Sequence, residues 1–361
     1  MRRHCEALID LNAIRRNYAL ACRLAPASKA IAVIKANAYG HGAAEVARAL
    51  RGHAPAFAVA IIDEAIELRD AGITEPLLVM EGVDTIAALE YAAAQNIAVV
   101  VHSAEQLRQL ELAKLKQPIS VWLKVDTGMH RLGLPPAGIA DAVIRLRVSA
   151  NCAKDVVVCT HLASADLPDS KDTQRQLEVF DASTAGLDVR QSISNSAAIL
   201  AIPATHRDWN RPGYMLYGMA PFTAAVASAS ELLPAMTLRS RIIALREVAP
   251  SESVGYRGRW KATSKSVIAT VAIGYADGYP RHVPNGTPTL VNNQVAPLVG
   301  AVSMDMITID VTAIDSVCVG TPVVLWGPGL SVNTIASAAE TIGYELLTRV
   351  SRRVPRQYLH A

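Results

Sequence analysis

The chain has 361 residues, 51% of them hydrophobic and 19% charged, and a formal net charge of +3. This length exceeds one small domain, and so weak and evenly spread a charge excludes a nucleic-acid partner or a membrane-surface patch. No stretch approaches the roughly 18 apolar residues of a membrane span, no signal-peptide core follows the two N-terminal arginines, and five cysteines without CxxC spacing suit a reducing, cytoplasmic setting rather than a disulfide frame or a zinc site.

Short apolar runs rich in β-branched residues recur at 31–34, 57–60, 77–80, 97–101, 121–125, 156–159, 192–194 and 214–217. Most are followed by stretches with apolar spacing of three and four, such as AAEVARALRG, IDEAIELRDAG, DTIAALEYAAAQN, SAEQLRQLELAKL and DTQRQLEVFDAS. Strands alternating with helices imply a parallel sheet, and eight such units in about 220 residues fit a (β/α)8 barrel. A doubly wound open sheet satisfies the same periodicity, although no GxGxxG follows the first strand.

Near 228–234 the pattern changes. TLRSRIIALREV, SVIATVAIGYADGY, TPTLVNNQVAPLVGAV, MITIDV and TPVVLWG alternate with period two, and Val291-Asn292-Asn293-Gln294 reads as a hairpin turn. One short helix, VNTIASAAETIG, and a strand-like finish, YELLTRVSRRVPRQY, close the chain. The expected fold class is α/β: a TIM-type barrel over 1–229, then a mostly β domain over 230–361. Residues 1–10 are a candidate strand for that second domain.

Functional groups of a parallel barrel collect at the carboxyl ends of its strands. Those ends carry Lys35, Lys124 with Asp126, His161, and Asn195-Ser196, while Arg211 precedes the eighth expected strand. An ordinary strand-end lysine snorkels to solvent. At a barrel mouth, however, the stem of Lys35 is packed and its amine desolvated, which lowers its pKa and favours the neutral nucleophile. A neutral amine forms a Schiff base with a carbonyl, and pyridoxal phosphate is the carbonyl cofactor usually held this way. Ser196 at a helix start, Gly213 and Tyr214 after Arg-Pro, and the hydroxyl of Tyr39 are candidate phosphate contacts.

AVIKANAYGHG, WLKVDTGMHRLG, HLASAD, NSAA, NRPGYMLYG, VGYRGRW, AIGYADGYPR, VSMDM and RRVPRQY, spanning 32–358, together resemble the ordered motif set of bacterial alanine racemases. The resemblance implies a barrel followed by a β domain, pyridoxal 5'-phosphate as cofactor, and interconversion of L- and D-alanine for D-alanine and peptidoglycan precursor supply. It implies a homodimer with shared sites and no metal. It places the cofactor on Lys35 and its phosphate among Tyr39, Ser196, Gly213 and Tyr214. Arg211 matches the arginine facing the pyridine nitrogen. Because a guanidinium keeps its proton at neutral pH, that nitrogen stays unprotonated and the ring is a weaker electron sink.

Racemisation needs a proton removed from one face of Cα and returned to the other. By resemblance Lys35 serves one face and Tyr256 of the partner subunit the other, with His161 and Arg211 as a relay toward the tyrosine. Arg131, Met304 and Tyr275 match substrate-binding positions. Lys124 matches a lysine often carbamylated, and Asp166 and Arg281 line the access path. Asp277 and Asp305 read as structural. The chain departs from the family at Ser303, where many members have Cys, at Ala301, where many have Arg, and at Arg352, near a tyrosine that in some members reaches the phosphate. These departures bear on side-chain selectivity, so broader racemisation including serine is one alternative. A barrel-type decarboxylase lacks support, since neither a Gly-rich phosphate loop nor a diamine-recognising motif is present. A non-catalytic cofactor carrier is disfavoured by residues 236–361.

Overall fold

The computed structural model describes residues 4–167, 169–222 and 226–359, so 1–3 of the first expected domain span and 360–361 of the second lie outside the described residues. The described residues divide into two compact units: 14–38 with 42–232, and those up to 13 with 39–41 and from 233 onward.

The first unit is a parallel barrel wrapped by helices. Its sheet runs through nine hydrogen-bonded segments, of which Lys29–Ala30 and Ala32–Val33 are halves of one strand interrupted at Ile31. The N–H groups of Lys29, Ile31 and Val33 donate to Asp208, Asn210 and Pro212, and those of Ala32 and Ile34 donate to Ala56 and Ala58. Strand one thus pairs with strand eight on one side and strand two on the other, and the barrel closes. Strands two to six are Phe57–Val59, Leu77–Val79, Ile97–Val101, Val121–Lys124 and Val157–Cys159. They are almost wholly buried, as expected of strands covered on both faces. Helix starts are fixed locally: Thr85, Ser103 and Ser170 accept backbone N–H bonds from Ala88, Gln106 and Asp172.

Two strand positions differ from the sequence reading. Strand seven is Arg190–Ser192, two residues earlier than expected, and strand eight is Trp209–Asn210 rather than 214–217. The YMLY run instead forms one 3-10 turn, Tyr214–Tyr217. All four side chains are buried, but Pro212 offers no N–H for a ladder and Gly218 takes φ +84°, which ends the turn. Arg211 therefore follows strand eight, at the same carboxyl rim as the other candidates.

In the second unit the long strand Met236–Val248 is the hub. Its first part pairs antiparallel with Glu6–Asp10 and with Pro322–Trp326, and its second part with Ser266–Val271. Register breaks at Leu238/Arg239 and Ile242/Ala244 let one strand serve both partners. Glu6–Asp10 also pairs in parallel with Arg356–Leu359. Asn292 and Asn293 both take positive φ between paired Val291 and Gln294, the two-residue turn a right-twisted hairpin favours. The strand-like finish is a correction: helix Gly343–Arg349 precedes the short strand Arg356–Leu359.

Candidate active site

Trp122 of strand five and Trp209 of strand eight are not neighbours in the sheet, yet their ring centroids lie 5.7 Å apart. They meet inside the barrel, and the ammonium of exposed Lys29 sits 5.4 Å from the Trp209 ring. Strand side chains alternate, so the residue two positions on faces the same way. Lys124 and Arg211 thus form the next interior layer. Cys159 is the register partner of Lys124, and Ser192 that of Cys159.

Arg211 is 8% exposed and its position is over-determined. One terminal nitrogen donates to Ser192 Oγ at 2.5 Å, and the other to the Thr160 and Ile193 carbonyls at 2.6 and 3.0 Å. Burial draws its pKa down and Cys159 opposes this, but a guanidinium starts too far above neutrality to lose its charge.

Lys35 and His161 stand just beyond strands one and six. Burial lowers the pKa of Lys35; Arg131 lowers it further, and Glu81 and Glu64 oppose. Burial also lowers Lys124, with Arg211, Arg131 and Lys35 adding to the effect and Cys159 opposing. His161 is held well below its ordinary value by burial, then by Arg211, Lys124, Arg131 and Lys35. The barrel mouth therefore gathers Lys35, Lys124, Arg131, His161 and Arg211 close enough to feel one another. Such a set suits an anionic guest, and it places an amine of lowered pKa beside an imidazole held neutral at physiological pH.

After Lys35 the chain turns sharply. Ala36, Asn37, Ala38 and Tyr39 take φ values of +50°, +54°, +53° and +52°, a complete left-handed turn built without glycine.

A second corner of the mouth lies between strands seven and eight. Asn195 Oδ1 accepts the Ala198 N–H and caps the short helix Ser196–Ala201. Ser196 Oγ accepts the N–H groups of Gly213 at 2.9 Å and Met215 at 3.2 Å. The structure thus joins Ser196 to the Arg-Pro-Gly-Tyr loop that holds Tyr214.

The remaining candidates belong to the β unit, apart from Asp166, an exposed loop residue of the barrel unit. Tyr39 is 8% exposed, with its ring 6.1 Å from that of Tyr344, and burial raises its pKa. Tyr256 stands on the turn between Ser253–Val254 and Trp260–Lys261 and is 69% exposed. Tyr275 and Ala276 donate their N–H groups to the Ser303 and Met304 carbonyls, both at 3.0 Å, so the Tyr275 and Met304 loops are fastened together. A Cβ on Gly274 would lie 2.3 Å from the Met304 oxygen, which is why glycine stands there. Buried Asp277 accepts the Gly274 N–H at 2.9 Å and pairs with Arg353 at 3.2 Å, and Arg353 reaches Asp305 at 2.5 Å. Asp277 and Asp305 hold these loops in place. Arg281 and Arg352 are exposed.

Sequence reasoning passed over Glu64, Glu81, Cys159 and Gln176. Cys159 and Glu81 had a usable signal, since each ends or follows a barrel strand. Gln176, inside a helix, had none.

Residues 9–221 match the family model "Alanine racemase, N-terminal domain", and residues 235–358 match "Alanine racemase, C-terminal domain". The chain is 48% identical over 361 residues to an alanine racemase of Chromohalobacter salexigens, covering 100% of this chain and 99% of that one. Among solved structures, the biosynthetic alanine racemase from Pseudomonas aeruginosa superposes with a TM-score of 0.95 at 47% identity, covering 100% of both chains. The alanine racemase from Bartonella henselae with covalently bound pyridoxal phosphate superposes with a TM-score of 0.89 at 28% identity, covering 99% of each.

Proposed function

The chain belongs to the alanine racemase family, and from that premise we propose that it interconverts L- and D-alanine using pyridoxal 5'-phosphate held at Lys35. The observation that supports this best is the barrel mouth, where a desolvated lysine sits among Arg131, Lys124, Arg211 and His161. That donor set fits a phosphate-bearing aldehyde: cationic groups for its negative charge and an amine of lowered pKa for its carbonyl. Ser196, Gly213, Tyr214 and Tyr39 are assigned to its phosphate.

When bound, the cofactor supplies an electron-withdrawing ring that acidifies the Cα–H of the amino acid. Lys35 Nζ accepts or returns the Cα proton on one face. The Tyr256 hydroxyl, supplied by a second copy of the chain, does so on the other. His161, neutral because of burial and its cationic neighbours, can donate its ring N–H to the phenol oxygen and steady it when it is ionised, while its other ring nitrogen accepts a hydrogen bond. Arg211 keeps its charge and would donate to the ring nitrogen of the bound cofactor, which would leave that nitrogen unprotonated. Arg131 and the Met304 N–H of the second copy hold the substrate carboxylate, Tyr275 is assigned to substrate binding, and Asp166 and Arg281 to the way in. A carbamate on Lys124 would give Arg131 an anionic partner. No helix among the described residues is long and apolar enough to cross a membrane.

The test is to incubate the pure holoprotein with L-alanine in deuterated water. The circular dichroism of the solution is expected to decay to zero while deuterium enters at Cα, and Lys35→Ala should abolish both. Optical activity that persists with fully loaded protein would exclude racemisation.

A further inference from the structure

The left-handed turn after Lys35 needs an external support. Each L-residue in this conformation costs roughly 1–2 kcal/mol, and four occur in succession without glycine. Such backbone persists only where its surroundings over-determine it. Local bonds supply part of the support. The Ala38 N–H donates to the Ile34 carbonyl at 2.8 Å, the Gly42 N–H to the Asn37 carbonyl at 2.9 Å, and the Ala43 N–H to Asn37 Oδ1 at 2.9 Å. These bonds tie the turn to itself and to the helix that follows.

The turn is also bonded to another βα unit. The Ala36 N–H, adjacent to Lys35, donates to Glu64 Oε1 at 2.6 Å. The other oxygen, Oε2, accepts the Ala60 N–H at the end of strand two, at 2.7 Å. Glu64 lies in the first turn of helix Ile62–Asp70, where an acidic residue ordinarily faces back toward the helix start. That ordinary role accounts for the bond from Ala60 but not for the one from Ala36.

We propose that Glu64 is a positioning residue for the cofactor lysine: its carboxylate clamps the left-handed turn to strand two and so fixes where Lys35 points. This rests on the assignment of Lys35 as the attachment point. The clamp also has an electrostatic side. Besides burial, the groups acting on Lys35 are Arg131 on one hand and Glu81 and Glu64 on the other, and Lys35 in turn acts on Lys124 and His161. Removing the Glu64 charge tips that balance toward the neutral amine.

The experiment titrates the full chain, stripped of cofactor, with pyridoxal 5'-phosphate and follows the visible band of the covalent complex. It also records the pH midpoint for reductive methylation of Lys35. Glu64→Gln retains size but replaces one acceptor with an NH2 group. It is expected to weaken cofactor binding about 10-fold or more, the effect of losing a hydrogen bond to a charged group. Its Lys35 midpoint should move to lower pH. Ala36→Gly accepts positive φ without cost, so adding it to Glu64→Gln should restore part of the affinity. A general loss of packing would give neither the midpoint shift nor the rescue. Wild-type affinity, an unmoved midpoint or a failed rescue in Glu64→Gln would each overturn the proposal. If Glu64→Gln does not fold, Glu64→Asp carries the test, since it keeps the charge but is too short to span both N–H groups. Weaker binding with an unmoved midpoint is then expected, and wild-type affinity overturns the clamp. Lys35→Ala, run in parallel, separates the two assignments. A covalent band that survives in it removes the Lys35 assignment, whereas its loss beside a wild-type-like Glu64→Gln removes only the clamp.

Discussion

At the scale of single residues, the site is an arrangement of burial and charge that lowers the pKa of two bases. His161 makes this measurable. Burial, then Arg211, Lys124, Arg131 and Lys35, holds its folded pKa well below 6.5. Above about pH 6.5 the ring is neutral whether the chain is folded or not. Below that, the unfolded chain takes up a proton that the folded chain refuses, so stability falls as pH drops toward the folded pKa. His102, lowered chiefly by burial, adds a smaller contribution of the same sign. The unloaded protein is therefore expected to lose up to about 1.4 kcal/mol per pH unit through His161 between pH 6.5 and 5.5. His161→Gln should flatten that part of the slope. Urea midpoints of both proteins at pH 7.5 and 5.5 measure the difference, and parallel losses would show that His161 is not held neutral. Lys35 and His161 were legible in sequence because each stands where a buried strand meets a polar loop. Glu64 was not, because a glutamate in the first turn of a helix looks the same whether it caps that helix or reaches across to another strand.

At the scale of elements, the loops after strands five and six are joined by one side chain from helix Lys171–Thr184. Gln176 is 3% exposed. Its Nε2 donates to Thr127 Oγ1 and to the His161 carbonyl, both at 3.0 Å, and its Oε1 accepts the Ala163 N–H at 2.8 Å. Thr127 in turn meets Thr160 at 2.8 Å, and the Thr160 carbonyl accepts from Arg211. An apolar replacement of similar size leaves these buried groups without Gln176. Gln176→Leu is accordingly expected to destabilise the chain by about 3 kcal/mol, a buried unpaired polar group costing about 1–3 kcal/mol. Chemical denaturation measures it, and a change below about 0.5 kcal/mol, the range of ordinary surface substitutions, would show that the clamp carries little. The elements were readable where they were long and periodic, as in helix Lys171–Thr184 or strand Ile97–Val101. Strand eight escaped because its two residues, Trp209 and Asn210, are fewer than any pattern requires, whereas the apolar YMLY run beside it packs as a turn. Its partners, Lys29–Ala30 and Ser192, are far away in sequence, so the pairing has no local signature.

At the scale of the whole molecule, the two units carry different halves of the proposed chemistry. The lysine side belongs to the barrel, and the tyrosine side to loops of the β unit. Those loops leave large apolar groups exposed: Tyr256 at 69%, Met304 at 54% and Tyr275 at 40%. The Gly274 and Asp277 contacts and the Asp277–Arg353–Asp305 chain fasten the Tyr275 and Met304 loops to each other. Exposed apolar groups of this kind are suited to being covered by another surface. If a second copy covers them, each site takes its lysine from one chain and its tyrosine from the other. Lys35→Ala and Tyr256→Phe, each inactive alone, should then regain activity when their subunits are exchanged. Random pairing makes half of the dimers mixed, and a mixed dimer holds one intact site of two, so about a quarter of wild-type activity is the expected recovery. Exchange is verified by mass spectrometry of tagged chains, and alanine racemisation is assayed before and after. Mixed dimers without activity would mean that both bases come from the same chain.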